Sequence, residues 1–245
     1  MPKRNRLSSG IFVYLVIVFF MFSEVIGDDF FHFMGEDVHH MFSREPLLVI
    51  GLGGAATAGA FIFEDHRGYG GFMGDGCLRN CSEVCDKAFG LPLLGASSIT
   101  WAVGTLSASH DAEETGQMLT ESLLLTYGIT GAMKLASGRT RPDGSNSRSF
   151  PSGHSSSTAC AAVILWDRYG AGAGIPAAAI AAFTALSRVT LEKHYPSDII
   201  AGAAIGISVG LAVAGAHEDE AGSSQRIQPA LGIRWSSTGG FGVYF

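Results

Sequence analysis

The stretch "RSFPSGHSSST", residues 148–158, places Pro, Ser, Gly and His directly ahead of the apolar run "ACAAVILW" (159–166). This change of character predicts a loop that turns into a helix. The first turn of a helix directs free backbone N–H groups toward one point, where they bind anions. The stretch therefore predicts an anion site that includes an imidazole, provided that other residues of the chain converge on it.

Most of the chain consists of apolar segments of helical length. They are too long for strands and lack the alternation of a half-exposed sheet. We therefore predict an all-α fold, an up-and-down bundle of about six helices with the active site at helix ends. The tail "PALGIRWSSTGGFGVYF" (229–245) does alternate and contains a Gly-Gly turn, which predicts a short C-terminal β-hairpin. The six segments are 47–63, 90–108, 117–136, 155–169, 175–191 and 198–216.

Polar residues collect at the ends of the last four apolar segments. In an up-and-down bundle, the end of the third helix, the start of the fourth, the end of the fifth and the start of the sixth lie on one side. The polar residues at these ends can therefore share one pocket. They are Lys134, Arg141, Ser152, Gly153, His154, Arg188, His194 and Asp198.

The cations of this group suit a phosphoryl ligand. Arg141 and Arg188 carry guanidinium forks that match phosphate oxygens, and Lys134 adds a point charge. Together with the N–H groups at the start of a helix, they would stabilise the charge of a phosphoryl group.

The two histidines of the group suit separate roles. His194 and Asp198 are four residues apart, so they share one helix face if a helix begins there. Asp198 could then accept the Nδ1–H of His194, which leaves Nε2 as a nucleophile. His154 would protonate the leaving oxygen as general acid. This arrangement predicts a phosphohistidine mechanism without a metal ion or other cofactor.

Three motifs of this region carry a family resemblance. "KLASGRTRP" (134–142), "PSGH" (151–154) and "SRVTLEKHYPSD" (187–198) resemble the three-part signature of the type 2 phosphatidic acid phosphatase superfamily. The resemblance covers about 117–216, and every motif position matches with its spacing. It implies a phosphatase in which His194 is the nucleophile, Asp198 its partner and His154 the acid. It also implies that the phosphate ligands are Lys134, Arg141, Ser152, Gly153 and Arg188.

The resemblance leaves the substrate open. The superfamily includes lipid phosphate phosphatases, soluble bacterial acid phosphatases and vanadium haloperoxidases. The apolar segments and Phe150 ahead of "PSGH" favour a phosphorylated lipid, such as phosphatidate or a polyprenyl diphosphate. A soluble periplasmic acid phosphatase with other small phosphate substrates is the main alternative, and a vanadium-dependent haloperoxidase is a further one.

The first residues have the pattern of a targeting signal. The basic "PKRNR", the apolar "IFVYLVIVFFMF" (11–22) and small residues before Asp28 indicate a cleaved signal peptide or an uncleaved anchor over 1–27. The net charge of −6 argues against nucleic-acid binding. We expect an exported, membrane-associated protein whose site faces the periplasm, or else a soluble periplasmic one.

The remaining organisation follows from these assignments. A polar N-terminal segment (28–46) precedes the helical phosphatase domain (47–216), and a polar linker leads into the tail (217–245). Cys77, Cys81 and Cys85 indicate one disulfide in an oxidising compartment, with a metal site as the alternative.

Several other polar residues have no motif around them. Glu121 lies inside an apolar segment and receives no role. The remaining histidines are expected at the surface. They are His32, His39, His40, His66, His110 and His217.

Overall fold

The computed structural model describes residues 28–64, 77–220, 232–235 and 241–244. The proposed signal, 1–27, lies outside these ranges. The described part is helical apart from one pair of short strands, so the all-α prediction is confirmed. Its elements are α1 (Asp28–His40), α2 (Arg44–Phe63), α3 (Cys77–Ala88), α4 (Leu91–Ser107), α5 (His110–Ser137), α6 (Gly153–Tyr169), α7 (Ala171–Thr190), α8 (Pro196–Glu220), β1 (Gly232–Trp235) and β2 (Phe241–Tyr244).

The six predicted apolar segments correspond to α2 and α4 to α8. Two helices, α1 and α3, were not predicted. Half of the residues of α3 are polar or charged, and Cys77, Cys81 and Cys85 recur in its sequence at intervals of four. A helix of this kind lacks the long apolar run that identified the others. The expected disulfide does not involve Cys85 or Cys160, which are both free thiols.

A sharp bend joins α3 to α4. The two helix axes differ by 51° across the break. Gly90 caps α4 with φ of 110°, a conformation that L side chains rarely adopt, and Pro92 occupies the first turn of α4. The bend brings the C-terminal end of α3 to the side of the bundle where α5 and α7 end.

Close backbone contact holds α6 against α8. Gly202, Gly206 and Gly210 form a stripe along α8, and a Cβ atom at Gly206 would lie 2.0 Å from the carbonyl oxygen of Ser156. Glycine therefore permits a separation that no other residue allows. The contact sets the start of α6 beside the start of α8, where the amide of Ser152 donates to the carbonyl of Asp198 at 2.9 Å.

The structure supports association with a membrane. Three of the described helices, α2, α7 and α8, are long and apolar enough to cross a bilayer, and the bent pair α3–α4 could form a fourth span. Large apolar side chains of these helices point outward, among them Leu52, Ile62, Leu106 and Ile175. A continuous apolar exterior is the surface that a lipid environment favours.

The C-terminal hairpin forms as predicted from the alternating pattern. Strands β1 and β2 pair in antiparallel register, with Gly232 opposite Tyr244 and Trp235 opposite Phe241. The turn residues 236–240 and the linker 221–231 lie outside the described ranges.

One prediction about the remaining histidines is wrong. His217 is buried, with 8% of its surface exposed, and its Nε2 lies 2.9 Å from Oε2 of Glu121. Glu121 is a carboxylate buried inside the bundle, and such a group needs a hydrogen-bond partner. His217 of the apolar helix α8 provides that partner. His39 and His110 are exposed as expected.

Candidate active site

The start of α6 anchors the site. Ser152 caps this helix, and its Oγ accepts a hydrogen bond from the amide of Ser155 at 3.3 Å. Serine is preferred at this position because its oxygen satisfies one of the unpaired amides of the first turn. The remaining N–H groups of that turn make the anion-binding end that the sequence predicts.

Lys134 reaches this turn from the end of α5. Its ammonium donates to the carbonyl groups of Pro151 and, at 3.1 Å, Arg148. A Cβ atom at Gly153 would lie 3.8 Å from Cε of Lys134, so the lysine stem lies alongside the glycine. The lysine is thereby fixed next to the "PSGH" backbone.

His194 and Asp198 face each other, as their spacing predicts. His194 Nδ1 lies 3.6 Å from Asp198 Oδ2, and both side chains are almost completely buried. This separation is longer than a hydrogen bond, and catalytic contacts of this kind often shorten when substrate binds.

Arg139 is a site residue that the sequence analysis missed. Its guanidinium donates to Asp198 Oδ1 at 2.6 Å and to Ser197 Oγ at 2.7 Å, and it also forms an ion pair with Glu64. The guanidinium carbon lies 4.0 Å from the ring centre of Tyr195. Arg139 therefore fixes the carboxylate that faces His194.

Two features of the sequence could have identified Arg139 and Glu64 as residues of the site. Arg139 lies inside the first motif, between Lys134 and Arg141. Glu64 directly follows an apolar segment that ends on the catalytic side of the bundle, and its side chain is fully buried. A charged residue at such a position needs a partner among the motif residues.

Both carboxylate oxygens of Asp198 accept hydrogen bonds. Its Oδ2 accepts from the hydroxyl of Ser149 and, at 2.9 Å, from the amide of Tyr195. Oδ1 is bound by Arg139. Charged and neutral donors on both oxygens keep this carboxylate ionised and fixed in orientation.

His194 and two arginines of the predicted site have buried nitrogen atoms that form no hydrogen bond. Within the described part of the chain, Nε of Arg141, Nε of Arg188 and Nδ1 of His194 are buried without a hydrogen-bond partner. Such donors are costly when unsatisfied, and an anionic ligand with several oxygens would satisfy the two arginines.

His154 contacts Asp86 of α3. Its Nε2 lies 3.1 Å from the backbone oxygen of Asp86 and 3.6 Å from Asp86 Oδ1. Asp86 Oδ1 also accepts from Arg188 at 2.6 Å. A Cβ atom at Gly90 would approach His154 Nε2 to 3.1 Å, so the α3–α4 bend encloses the imidazole. No motif contained Asp86, and no sequence signal distinguished it.

The pKa of His194 falls to about 4, chiefly because the imidazole is buried. The carboxylate of Asp198 opposes this shift, and the positive charges of Lys134 and Arg141 reinforce it. The ring is therefore neutral near pH 7, which is the state that a nucleophile requires.

Burial also lowers the pKa of Lys134, to about 8, and the neighbouring Arg141 adds to the effect. The pKa of His154 is lowered by burial and by Arg188, while Asp86 opposes the shift. The charges that shift these pKa values include those of Lys134, Arg141 and Arg188, so the charged residues of the predicted site share one electrostatic environment.

Clusters with the side chains to bind a metal ion lie away from these residues. In the described ranges they are Glu36 with His39 and His40, and the buried group of Asp37, Glu121 and His217, whose donor atoms lie within 4.8 Å of one another. That the proposed chemistry needs no metal stays a prediction.

Comparison with known proteins agrees with the motifs. The family model described as the PAP2 superfamily matches residues 117–221. The lipid A 1-phosphatase of Porphyromonas gingivalis is 37% identical over 101 residues, which are 39% of this chain and 23% of that protein. The decaprenylphosphoryl-5-phosphoribose phosphatase of Mycobacterium tuberculosis is 42% identical over 66 residues, 26% of this chain and 35% of that protein.

A solved structure also resembles the chain loosely. It is a transmembrane PAP2 type phosphatidylglycerolphosphate phosphatase from Bacillus subtilis, with 20% identity and a TM-score of 0.46 over 87% of this chain and 98% of that one. The chain matches less than two thirds of the length of either curated relative. The family match nevertheless contains all eight predicted site residues, so the chain is similar to the PAP2 superfamily over residues 117–221.

Proposed function

We propose that this protein is a metal-independent phosphatase that hydrolyses phosphomonoesters or diphosphates of lipids through a phosphohistidine intermediate on His194. The observation that carries the proposal is the convergence of a neutral, buried imidazole with buried arginine donors at the start of α6. A nucleophile next to fixed cations is the arrangement that phosphoryl transfer needs.

The reaction has two steps. Nε2 of His194 attacks phosphorus, the ester P–O bond breaks, and His154 gives its proton to the departing oxygen. Water then attacks the phosphohistidine while His154 takes a proton from it, so the P–N bond breaks and inorganic phosphate leaves. Asp198 stabilises the imidazole as it becomes positive in the first step.

The cations act on the phosphoryl oxygens. Arg141 and Arg188 would each bind oxygen atoms through their guanidinium groups, and Lys134 would add charge from the side of α5. The amides at Gly153 and the turn behind it complete the ligand set. These groups stabilise the charge of the transition state without having to move.

Three observations support a lipid substrate. Both curated relatives are named as phosphatases of lipid-linked phosphates. Helices α2, α7 and α8 are candidate spans. A cavity of about 600 Å³ opens between α6, α7 and α8, begins at Ser155 next to His154, and is lined chiefly by Ala, Val, Leu, Ile and Trp side chains. Such a cavity has the size and character to hold an apolar chain.

Export and a periplasm-facing site complete the proposal. They rest on the targeting pattern of residues 1–27. A cysteine placed at Ser145, in the exposed loop between α5 and α6, reports the orientation in a variant whose native cysteines are replaced. Labelling by a membrane-impermeant thiol reagent in intact spheroplasts is expected, and labelling only after lysis would contradict an outward-facing site.

The substrate test compares three esters on the purified full chain. Phosphatidate, a polyprenyl diphosphate and a soluble aryl phosphate are offered in matched detergent, with and without EDTA. We expect phosphate release that EDTA leaves unchanged and that is absent in the His194→Ala variant. A higher kcat/KM for the lipids is expected because binding of the apolar chain can contribute at the reacting centre. Equal kcat/KM for the aryl ester, with release of the protein by osmotic shock, would instead identify a soluble acid phosphatase.

A further inference from the structure

Asp86 binds two of the predicted site residues at once. Its Oδ1 lies 2.6 Å from NH1 of Arg188 and 3.6 Å from Nε2 of His154. The backbone oxygen of Asp86 lies 3.1 Å from the same Nε2. One residue of α3 thus engages both a phosphate ligand and the nitrogen that would donate the catalytic proton.

This contact occupies nitrogen atoms that a bound substrate would use. Arg188 is 2% exposed, so its guanidinium can bind only groups that enter the pocket. A phosphoryl group bound to NH1 of Arg188, with its leaving oxygen next to Nε2 of His154, would compete with the carboxylate of Asp86 for both nitrogens. The Asp86 side chain is 39% exposed, which gives it solvent into which it can withdraw.

We propose that Asp86 is an internal ligand of the phosphate site, which occupies it between turnovers and is displaced when a phosphoryl group binds. The carboxylate carries the charge and the oxygen geometry that a guanidinium binds. This inference rests on the proposed function in assigning the pocket to phosphate. It makes α3 a substrate-responsive element of the active site.

Displacement of Asp86 by an anion can be recognised from the dissociation constants of anions of different charge. If the pocket is open for only a fraction of the time, the apparent dissociation constant of every anion rises by the same factor. If Asp86 instead remained beside the bound anion, its negative charge would weaken the more highly charged anion more strongly. The two cases are separated by comparing anions of different charge.

The experiment measures anion binding to the full chain by equilibrium titration, which needs no turnover. The probes are inorganic phosphate, sulfate and diethyl phosphate, and the variants are Asp86→Asn and Asp86→Ser. Glu83→Gln is the matched control, because Glu83 lies on the same helix, is half exposed, and forms an ion pair with Arg79 of that helix. It removes the same charge without touching the site.

We expect both Asp86 variants to bind all three anions more tightly, by one common factor of roughly tenfold, with Glu83→Gln unchanged. In the unmodified chain, saturating phosphate should also increase amide hydrogen exchange in α3, and in the Asp86 variants phosphate should have no such effect. Unchanged or weaker anion binding in the Asp86 variants would overturn the proposal. A gain that is larger for sulfate and phosphate than for diethyl phosphate would do the same, because it would mean that the charge of Asp86 stays beside the bound anion.

The experiment distinguishes a failure of this proposal from a failure of the proposed function. If the chain hydrolyses no phosphoester but the Asp86 variants bind anions more tightly, the phosphatase proposal fails and the internal ligand stands. If the Asp86 variants lose turnover of alkyl phosphates while anion binding stays the same, Asp86 is a positioning residue for His154 and the internal-ligand proposal fails.

Discussion

Buried histidine–carboxylate pairs occur near both ends of α8, and they differ in their surroundings. His194 precedes the helix and faces Asp198 at 3.6 Å. His217 lies in its last turn and contacts Glu121 at 2.9 Å. Both imidazoles are at most 8% exposed, so burial alone does not distinguish the pair proposed to be catalytic from the other.

The partners of each carboxylate make the difference. Glu121 is bound by His217 on one oxygen and by Gln117 at 2.8 Å on the other, so the histidine is itself one of its two hydrogen-bond partners. The oxygens of Asp198 are bound by Arg139, Ser149 and the Tyr195 amide, and its histidine stays outside hydrogen-bond distance. In the first pair the imidazole is engaged by the carboxylate, whereas in the second the imidazole lies outside hydrogen-bond distance of its carboxylate, and Arg141 and Arg188 also have buried Nε atoms without a partner among the described residues.

The largest expected effect separates the two histidines. His194→Gln should lower kcat by at least about 10³-fold, because no other group can form the covalent intermediate. His217→Gln should leave kcat within about twofold and lower the free energy of unfolding by ~1–3 kcal/mol, since it weakens a buried hydrogen bond. Steady-state kinetics and denaturant unfolding of both variants test the comparison. Loss of activity in both would mean that the two pairs are not functionally distinct.

Substitution of Asp198 should lower kcat more than substitution of Glu121. Asp198→Asn should lower kcat by roughly 10²–10⁴-fold, because the amide neither stabilises a positive imidazole nor holds Arg139 as an ion pair. Glu121→Gln is the matched change at the other end, and it should affect stability more than turnover. If Asp198→Asn kept more than a tenth of the kcat, Asp198 would be only a structural partner of Arg139.

The pH dependence of kcat/KM sharpens the comparison further. Protonation removes the nucleophile, so activity should fall as pH drops through the pKa of His194, about 4. Deprotonation removes the acid, so activity should also fall on the alkaline side, with a midpoint below 6.5 because the pKa of His154 is lowered. The optimum should therefore be acidic, and His217→Gln should not move it. A single limb above pH 7 would contradict these assignments.

The smallest expected effect concerns the close contact between α6 and α8 at Gly206. Gly206→Ala should lower the free energy of unfolding by ~1–3 kcal/mol, because the added Cβ would lie 2.0 Å from the Ser156 carbonyl oxygen. Gly128→Ala on α5 is the control, since a Cβ there meets nothing within 4 Å. It should stabilise the helix slightly. Equal stability of the two variants would show that α6 and α8 are not packed this closely.

Sequence reasoning identified the six long helices because each consists largely of apolar residues over a helical length. It identified the eight motif residues because, in an up-and-down bundle, the end of one helix and the start of the next lie on the same side. It missed Arg139 and Glu64, whose roles depend on a contact between α2 and the first motif. It missed Asp86 because α3 is short and polar, and its position over the pocket depends on the bend at Gly90. Tertiary pairing of this kind leaves no periodic pattern in the chain.

The most direct test of the central assignment is to trap the intermediate. The full chain is mixed with a ³²P-labelled phosphomonoester, quenched in alkali within one turnover, and digested to locate the label. The account predicts an acid-labile, alkali-stable phosphoramidate on His194, retained in Glu121→Gln and absent in His194→Gln. Label on another residue, or full turnover without any labelled protein in the unmodified chain, would contradict it.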